Sequence, residues 1–243
     1  MSTGTGPYGR FMRVLAARWP WTMLGAIAGA AFLLLVLTGI WLFAVLDTSA
    51  SGAHASIQRL ATEQPFAGGI VRSLHRYAAD LFLLATLLHL LREFLLGRFR
   101  AWRAFTWWTG LPLLALAYVA AIGGFWLNWD RLGQFAAEAS AEWLDVLPFA
   151  GSFARNFLDA GHVDDRLFSL LVFVHVGVPL LLLFGLWFHL QRLHMPLLLP
   201  PGRVFAGLAG ALLLLALVSP VTSTAPADPA SAIIALPIDW WLL

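Results

Sequence analysis

The stretch RSLHRYAADLFLLATLLHLLR, residues 72–92, decides the fold of this chain. Most of it is apolar over the roughly 20 residues that a membrane-spanning helix needs. It nevertheless carries His75, His89, one aspartate and three arginines. Ionisable groups are costly in hydrocarbon and usually mark a functional position. The stretch therefore predicts a membrane helix that carries a polar site.

The composition of the whole chain agrees with a membrane protein. Of its 243 residues, 60% are hydrophobic and 12% are charged, and the mean hydropathy is +0.79. A soluble domain has about 25% charged residues. The absence of cysteine excludes disulfides, thiolate iron–sulfur ligation and thioether-attached cofactors. The basic residues, all arginine, cluster at the edges of apolar segments, so a nucleic-acid-binding function is not favoured.

Five long apolar segments predict an all-α integral membrane bundle, with a four-helix core and a fifth transmembrane helix. Arginines precede the first segment, but its apolar run is longer than the roughly 7–15 residues of a signal peptide core. Two connecting stretches, 53–66 and 131–160, have the pattern of amphipathic helices on the outer membrane surface, and the second breaks at Pro148 and Gly151. The apolar segments are 21–46, 69–96, 105–127, 167–190 and 204–218.

The arginines orient this bundle. Segments 1–20, 92–104 and 190–203 share one face and carry nine arginines, whereas the opposite face carries four. The positive-inside rule then places the N-terminus in the cytoplasm and the C-terminus on the outer side. We expect a multi-pass protein of a bacterial-type inner, energy-transducing membrane.

Histidines recur with one spacing in two of the segments. His75 and His89 are 14 residues apart, and so are His175 and His189. Fourteen residues are about 40° short of four turns, so each pair shares a helix face, with roughly 21 Å along the axis between its members. The two segments cross the membrane in the same direction, so the histidines match in depth, 75 with 175 and 89 with 189. Two such levels are what two stacked bis-histidine haems require.

Glycines repeat the same spacing in the other two segments of the core. Gly25 and Gly39 are 14 apart, and so are Gly110 and Gly124. Glycine would let a helix backbone approach a flat cofactor closely. A lone membrane histidine is more often an interhelical hydrogen-bonding residue, and a transporter with histidine proton relays is a further alternative. Zinc is a poor fit because its ligands must converge on one centre. The matched pairs favour two haem b groups.

These residues resemble the N-terminal domain of cytochrome b from respiratory and photosynthetic cytochrome bc-type complexes. The family pattern R-x-x-H…H-x-x-R is present in residues 72–92, and the glycine pairs match. The stretch GGFWLNW is similar to the family's G-Y-x-L-P-W, LPFAG (147–151) to I-P-x-I-G, and FVHVGVPLLLLF to its H-x-x-x-P helix. The resemblance predicts a dihaem four-helix domain over 1–203, and a fifth transmembrane helix with an outer-side tail over 204–243.

The resemblance also implies roles for the histidines. His75 and His175 would be the axial iron ligands of an outer, low-potential haem, and His89 and His189 those of an inner, high-potential haem. His194 matches a histidine that contacts quinone at the inner site in the respiratory branch. The alternative for His194 is an interfacial histidine in an arginine-rich turn.

The resemblance places Arg72 and Arg92 at the haem edges, where guanidinium groups can pair with propionates. A plain positive-inside charge is the alternative for Arg92. Asp239, in PIDWW, stands near the glutamate of the family's P-E-W-Y motif and is a candidate quinone-contacting residue. Asp80 has no counterpart in the family. It is interpreted as an i,i+4 partner of Arg76, with a proton-handling or quinone-contacting carboxylate, or a partner-subunit contact, as alternatives.

Several positions depart from the family pattern. Leu170 replaces an arginine near the third ligand, and Asn128 replaces the proline of L-P-W. The lysine–aspartate pair of the inner quinone site is absent from PPGRVFAGLAGA. Met23 stands about where the plastid-type branch attaches an extra haem through cysteine, so that haem is not expected. The sequence also ends without the three further helices of a full-length cytochrome b.

The function expected from these observations is that of a dihaem b-type electron-transfer subunit, with no catalytic residues of its own. It would carry electrons across the membrane between two haems and a quinone pool. Its expected partners are a Rieske or c-type cytochrome subunit and a C-terminal-type cytochrome b subunit. The alternative is a haem-bearing membrane anchor of a dehydrogenase or ferredoxin-type quinone reductase, whose partner would be that soluble module.

Overall fold

A computed structural model describes residues 7–17, 20–148 and 163–231, and these ranges form an all-α bundle. The only β-type pairing within them is an isolated bridge between Asp130 and Pro226. The predicted all-α fold class is confirmed. The helices are α1 (Pro7–Ala17), α2 (Leu24–Val45), α3 (Ala53–Thr62), α4 (Ile70–Leu95), α5 (Ala104–Asn128), α6 (Arg131–Asp145), α7 (Asp165–Leu190) and α8 (Gly202–Val218).

All five apolar segments are helices, namely α2, α4, α5, α7 and α8. Trp21–Val45, Ala101–Asn128 and Asp165–Leu190 are long and apolar enough to cross a membrane. The 26-residue α4 is as long, but its charged side chains lower its hydropathy, and α8 is shorter, with 17 residues. The chain is a multi-pass membrane protein.

The bundle is built from two helix pairs with a space between them. α2 packs along α4, and α5 packs along α7, whereas the two histidine-bearing helices, α4 and α7, have little direct contact. At mid-height the pairs are joined by one apolar cluster of buried side chains. Its members are Phe32, Leu83, Leu113, Ala117 and Leu182.

The two predicted surface helices are present where the chain is described. The first predicted stretch, 53–66, is helical in α3 up to Thr62, and a turn of π-helix at Pro65–Gly69 leads into α4. The second begins as α6 and ends at Asp145, before Pro148. Residues 149–162, including Gly151 and most of LPFAG, lie outside the described residues.

Residues 219–231, which we call the outer strap, follow α8 and cross the ends of the helices opposite to Arg92; outer and inner are used as labels for the helix ends near His75 and near Arg92. Three side chains of α4, those of Arg72, Ser73 and Tyr77, form hydrogen bonds with the strap. The Tyr77 hydroxyl donates to the carbonyl of Ser219 at 2.5 Å, and the Ser73 hydroxyl oxygen accepts from the Val221 amide at 3.0 Å. Ser73 is fully buried, so the strap covers this end of α4.

The far end of the strap is bound to α6. The Gln134 side chain exchanges two hydrogen bonds with the backbone of Asp228, at 2.9 and 3.1 Å. Hydrogen bonds from the Ser231 hydroxyl and the Ala230 amide lower the pKa of the Asp228 carboxyl. This end of the strap is therefore fixed in place and carries a negative charge.

The turn between α5 and α6 is held by tertiary contacts. Trp129 ends α5 in the left-handed region, with φ 44°, which is unfavourable for a residue with a side chain. Its ring packs edge-on against Phe168 of α7, with centroids 6.0 Å apart. Its carbonyl accepts a hydrogen bond from the Ala227 amide of the strap at 3.1 Å. The conformation thus depends on both α7 and the strap.

We predict that Asp130→Ala destabilises the bundle more than loss of a helix cap alone. The Asp130 side chain, 3% exposed, caps α6 through the Gly133 amide at 2.9 Å and also accepts from the Thr224 amide of the strap at 2.8 Å. Losing the cap costs about 1 kcal/mol, and an unsatisfied amide adds about 1–3 kcal/mol. At about 2–4 °C per kcal/mol, the midpoint of thermal unfolding in detergent should fall by at least about 4 °C.

The matched control is Asp164→Ala, because the Asp164 side chain caps α7 through the Leu167 amide at 2.8 Å and binds no strap residue. The midpoint of thermal unfolding of this variant should fall by only about 2–4 °C. Equal shifts in the two variants would contradict a contribution from the strap.

Candidate functional site

The four predicted histidines lie on the backbones of α2 and α5, at the four predicted glycines. At the outer level, a Cβ placed on Gly39 would be 3.1 Å from Cε1 of His75, and one on Gly124 would be 3.3 Å from Cε1 of His175. These distances are tighter than most real Cβ contacts, so a side chain at either position would require the imidazole to shift. The glycines therefore let the imidazole rings lie directly on α2 and α5.

The inner level repeats this arrangement. A Cβ on Gly25 would be 3.2 Å from Cε1 of His89, and one on Gly110 would be 3.4 Å from Cε1 of His189. Each glycine of α2 thus meets a histidine of α4, and each glycine of α5 meets a histidine of α7. The 14-residue spacing shared by the four helices brings the eight residues together as two levels of four.

The two outer imidazoles face each other across the space between the helix pairs. The ring centroids of His75 and His175 are 6.3 Å apart, and the rings are inclined at 67°. A metal atom between two imidazole nitrogens, about 2 Å from each, needs a centroid separation of about this size. His89 and His189 lie within electrostatic range of each other at the inner level.

Hydrogen bonds determine the tautomer of three of these histidines. Nδ1 of His175 lies 2.9 Å from the carbonyl of Ala120, so Nδ1 must carry the proton and donate it. Nδ1 of His75 lies 2.9 Å from Oγ1 of Thr38, whose own hydroxyl donates to the Leu34 carbonyl at 2.7 Å. The threonine oxygen is therefore the acceptor and the imidazole the donor. Each ring keeps an unprotonated Nε2, which is the form that binds a metal.

At the inner level a threonine again accepts a hydrogen bond from a histidine. Nδ1 of His189 lies 3.0 Å from Oγ1 of Thr109, and the Thr109 hydroxyl donates to the Phe105 carbonyl at 2.9 Å. Thr38 and Thr109 were not predicted from the sequence. The signal that could have found them is a Thr-Gly dipeptide repeated in α2 and α5, at 38–39 and 109–110.

Between the two levels lies an apolar layer that belongs to the mid-height cluster. Phe32, Phe82, Ala117 and Leu182 are each seven residues from the flanking glycines or histidines of their helix. The rings of Phe32 and Phe82 pack with centroids 5.5 Å apart. The layer therefore places hydrocarbon side chains from all four helices between the two levels.

Arg72 is buried at the outer level, 8% exposed. Its Nη2 donates to Oγ of Ser223 at 2.8 Å and to Oδ1 of Asn128 at 3.3 Å. Its Nη1 is also buried but has no hydrogen-bond partner. A buried guanidinium nitrogen without an acceptor is costly, so this position suits an added anionic group such as a propionate. Sequence analysis did not predict the contribution of Asn128 or Ser223.

Arg92 is also buried, 6% exposed, at the inner end of α4. Its Nη1 donates to the Glu93 carboxylate, which also accepts from Nη1 of Arg98 at 2.6 Å. The group of two arginines and one glutamate keeps a net positive charge beside the inner level. The position is compatible with the expected pairing of Arg92 with an anionic group.

The remaining polar residue of the 72–92 stretch is paired. Oδ1 of Asp80 accepts from Nη1 of Arg76 at 2.6 Å, as the i,i+4 interpretation predicts. The Arg76 guanidinium also lies over the Phe125 ring, 4.8 Å from its centroid. The structure therefore confirms the i,i+4 pair, and the other roles considered for Asp80 stay untested.

The two candidate quinone-contacting residues have different outcomes. His194 is exposed in the turn that follows α7. Asp239 lies outside the described residues. Leu170, which replaces an expected arginine, is 45% exposed on α7.

The donor set fits haem b. Unprotonated Nε2 atoms are available on paired helices, the ring separation admits one metal atom, and Arg72 offers a free donor nearby. α4 and α7, which carry the histidines, make little direct contact with each other. The fold and the site together define a class, the multi-pass membrane proteins that bind haem between helices.

Comparisons with known proteins agree with that class. The family model described as Cytochrome b/b6/petB matches residues 14–196. The chain is 32% identical over 163 residues to the cytochrome b6 of Heliobacterium mobile, and the aligned region covers 67% of this chain and 76% of that protein. It is also 32% identical over 156 residues to the cytochrome b6 of Trichodesmium erythraeum, covering 62% and 70%.

A solved structure titled "Hyperthermophilic respiratory Complex III" has a similar fold. The TM-score is 0.68 at 18% sequence identity, and the match covers 91% of this chain and 67% of that chain. The chain belongs to the cytochrome b/b6 family. It therefore binds haem b and transfers electrons within a membrane complex, as this family does.

We predict that Gly39→Val or Gly124→Val lowers the haem content of the purified protein. Either side chain would displace the imidazole that now lies about 3.1–3.3 Å from the position of the new Cβ. The ratio of haem b to chain, measured by pyridine haemochrome, should fall, because a displaced imidazole no longer holds its Nε2 toward the histidine that faces it.

The matched control is Gly177→Val in α7, two residues from His175, where a Cβ would meet nothing within 4 Å. That variant should keep the wild-type ratio. A full haem content in both Gly39→Val and Gly124→Val would show that the close approach is not needed.

Proposed function

We propose that this chain binds two haem b groups, one at each histidine level, and carries electrons between them across the membrane. His75 and His175 are the axial ligands at the outer level, and His89 and His189 at the inner level. Haem iron supplies the redox chemistry by alternating between its ferric and ferrous states. The two levels are separated by 14 residues of helix, or roughly 21 Å along the axis.

The observation that carries this proposal is the fourfold contact between a histidine and a glycine. Each of the four imidazoles lies on a glycine of the neighbouring helix, at two depths, and the two imidazoles at the outer level face each other. An interhelical hydrogen-bonding histidine needs only one polar partner and no glycine beneath its ring. Two facing rings whose Nδ1 atoms are both held in donor roles have their Nε2 atoms left for a metal.

The surrounding side chains assist this role in separate ways. Thr38, Thr109 and the Ala120 carbonyl hold the imidazole tautomer. Arg72 and Arg92 place positive charge near the outer and inner levels, where they can pair with propionates. The apolar layer of Phe32 and its neighbours excludes water between the levels, so no solvent reorganisation is added there.

The inner level lies on the cytoplasmic side in this proposal. The support is the concentration of arginines at the ends of the helices on that side. Several of them stack on aromatic rings, as expected at a membrane interface: Arg100 on Phe99 at 4.7 Å, Arg103 on Trp102 at 4.5 Å and Arg192 on Phe105 at 5.1 Å. His194 is exposed on the same side, in a position to contact quinone from the membrane.

The partners proposed are those of a bc-type complex: a Rieske or c-type cytochrome subunit, a C-terminal-type cytochrome b subunit and the quinone pool. The support is the family membership, together with the relatives named cytochrome b6. Exposed apolar side chains on α7, such as Phe173 and Phe184, provide surface for lipid or for a companion subunit.

The ligand assignment is tested with His89→Ala. The variant should lose the inner haem and keep most of the outer one, so the ratio of haem b to chain should fall from about two to about one. His194→Ala is the control, because this exposed histidine lies outside both levels, and its ratio should stay at wild type. Full occupancy of both haems in His89→Ala, or one haem in the wild type, would overturn the proposal.

The partner assignment is tested by purifying the native complex under mild detergent. We predict that a Rieske-type iron–sulfur protein and a second helix-rich membrane subunit co-purify with the chain in fixed stoichiometry, as mass spectrometry can show. Recovery of a soluble flavin or iron–sulfur dehydrogenase module in their place would refute the bc-type assignment and leave the haem assignment untouched.

A further inference from the structure

Only one of the two terminal nitrogens of the Arg72 guanidinium has hydrogen-bond partners. Its Nη2 reaches Oγ of Ser223 at 2.8 Å and Oδ1 of Asn128 at 3.3 Å, while Nη1 has no partner although the side chain is more than nine-tenths buried. Asp130 lies nearby, but its two carboxylate oxygens accept from the Gly133 and Thr224 amides. The nearest carboxylate is thus already engaged.

The three side chains form a closed set of hydrogen bonds, which we call the Arg72 clamp (Arg72, Asn128 and Ser223). Arg72 can only donate, so the Ser223 oxygen accepts from Nη2. The Ser223 hydroxyl proton is then free to donate to Oδ1 of Asn128, 3.1 Å away. The Asn128 oxygen accepts from both other members. Each bond has a defined direction, so the clamp holds the guanidinium plane in one orientation.

The clamp joins three segments that are far apart in the sequence. Arg72 is in the first turn of α4, Asn128 is the last residue of α5, and Ser223 is in the outer strap. Arg72 and His75 are three residues apart on α4, so they are neighbours on its surface. The free Nη1 therefore belongs to the outer histidine level.

We propose that Asn128 and Ser223 are positioning residues for the outer haem. They hold Arg72 so that Nη1 is presented to an anionic group of the cofactor ligated by His75, and they thereby set the midpoint potential of that haem. The proposal rests on the function proposed above and extends it to two residues outside the histidine–glycine pattern.

The direction of the effect follows from electrostatics. Reduction of the haem removes one positive charge from the iron, so a guanidinium held close by favours the reduced state. If the clamp is loosened, Arg72 moves among several positions and its average interaction weakens. The midpoint potential of the outer haem should then fall.

The experiment is a redox titration of the purified protein with Asn128→Ala, Ser223→Ala and Arg72→Gln. Each variant should lower the outer-haem midpoint and leave the inner haem unchanged. For the two clamp variants the equilibrium constant for reduction should fall about threefold, or ~28 mV for a one-electron couple. Arg72→Gln should shift the midpoint at least as far. Asn128→Ala combined with Arg72→Gln should add nothing, because the two residues act as one unit.

Two further variants separate positioning from general structural damage. Tyr77→Phe removes a strap hydrogen bond, to the Ser219 carbonyl, that is not part of the clamp, and its midpoints should match the wild type. Ser223→Thr keeps the hydroxyl and should restore the wild-type midpoint. This pair at position 223 carries the test even if Asn128→Ala does not fold. Haem content is measured for every variant.

The outcomes distinguish the two proposals. Unchanged midpoints in the clamp variants, with both haems present, would overturn the positioning role and leave the dihaem function intact. An equal shift in Tyr77→Phe would also overturn it, because docking of the strap would then be the cause. Absence of a second haem from the wild type would instead overturn the proposed function.

Discussion

Four imidazole rings lie directly on helix backbone, 3.1–3.4 Å from where a Cβ on the glycine beneath them would be, and the rest of the bundle is arranged around these contacts. Because the rings come from α4 and α7 and the glycines from α2 and α5, each contact requires a particular helix pairing at a particular depth. A 14-residue repeat on four helices meets this requirement twice. The apolar cluster at mid-height is less demanding, because cores tolerate exchange of one hydrocarbon side chain for another of similar volume.

The polar groups of the bundle are placed where they assist these contacts. Thr38 and Thr109 accept hydrogen bonds from Nδ1 of His75 and His189. Each threonine hydroxyl donates its own proton to a backbone carbonyl of its helix, so its oxygen is left as an acceptor. Such partners fix a ring and raise its basicity as a ligand. The charged residues of α4 are also accounted for, since Asp80 pairs with its neighbour in the next turn and Arg72 is held by groups from two other segments.

Much of this arrangement was predictable because helical periodicity is a local property. The five membrane segments, the two histidine levels and the glycines follow from spacing alone, and each helix is present where the pattern places it. The Asp80 pair was predictable for the same reason, since i,i+4 neighbours meet on any helix. Thr38, Ala120 and Ser223 were not, because a hydrogen bond to a ring on another helix depends on rotation and depth of both helices, which no periodicity records.

The sequence by itself determined which helix faces carry ligands and which carry glycine, because 3.6 residues per turn converts spacing into position. Only the tertiary structure decided which histidine rests on which glycine, and that the outer strap returns to the start of α4. The side chains of Asn128 and Ser223 meet at the guanidinium of Arg72, although Arg72 and Ser223 are 151 residues apart in the sequence. Their meeting is set by how α4, α5 and the strap pack together, since burial of Arg72 requires acceptors that its own helix does not provide.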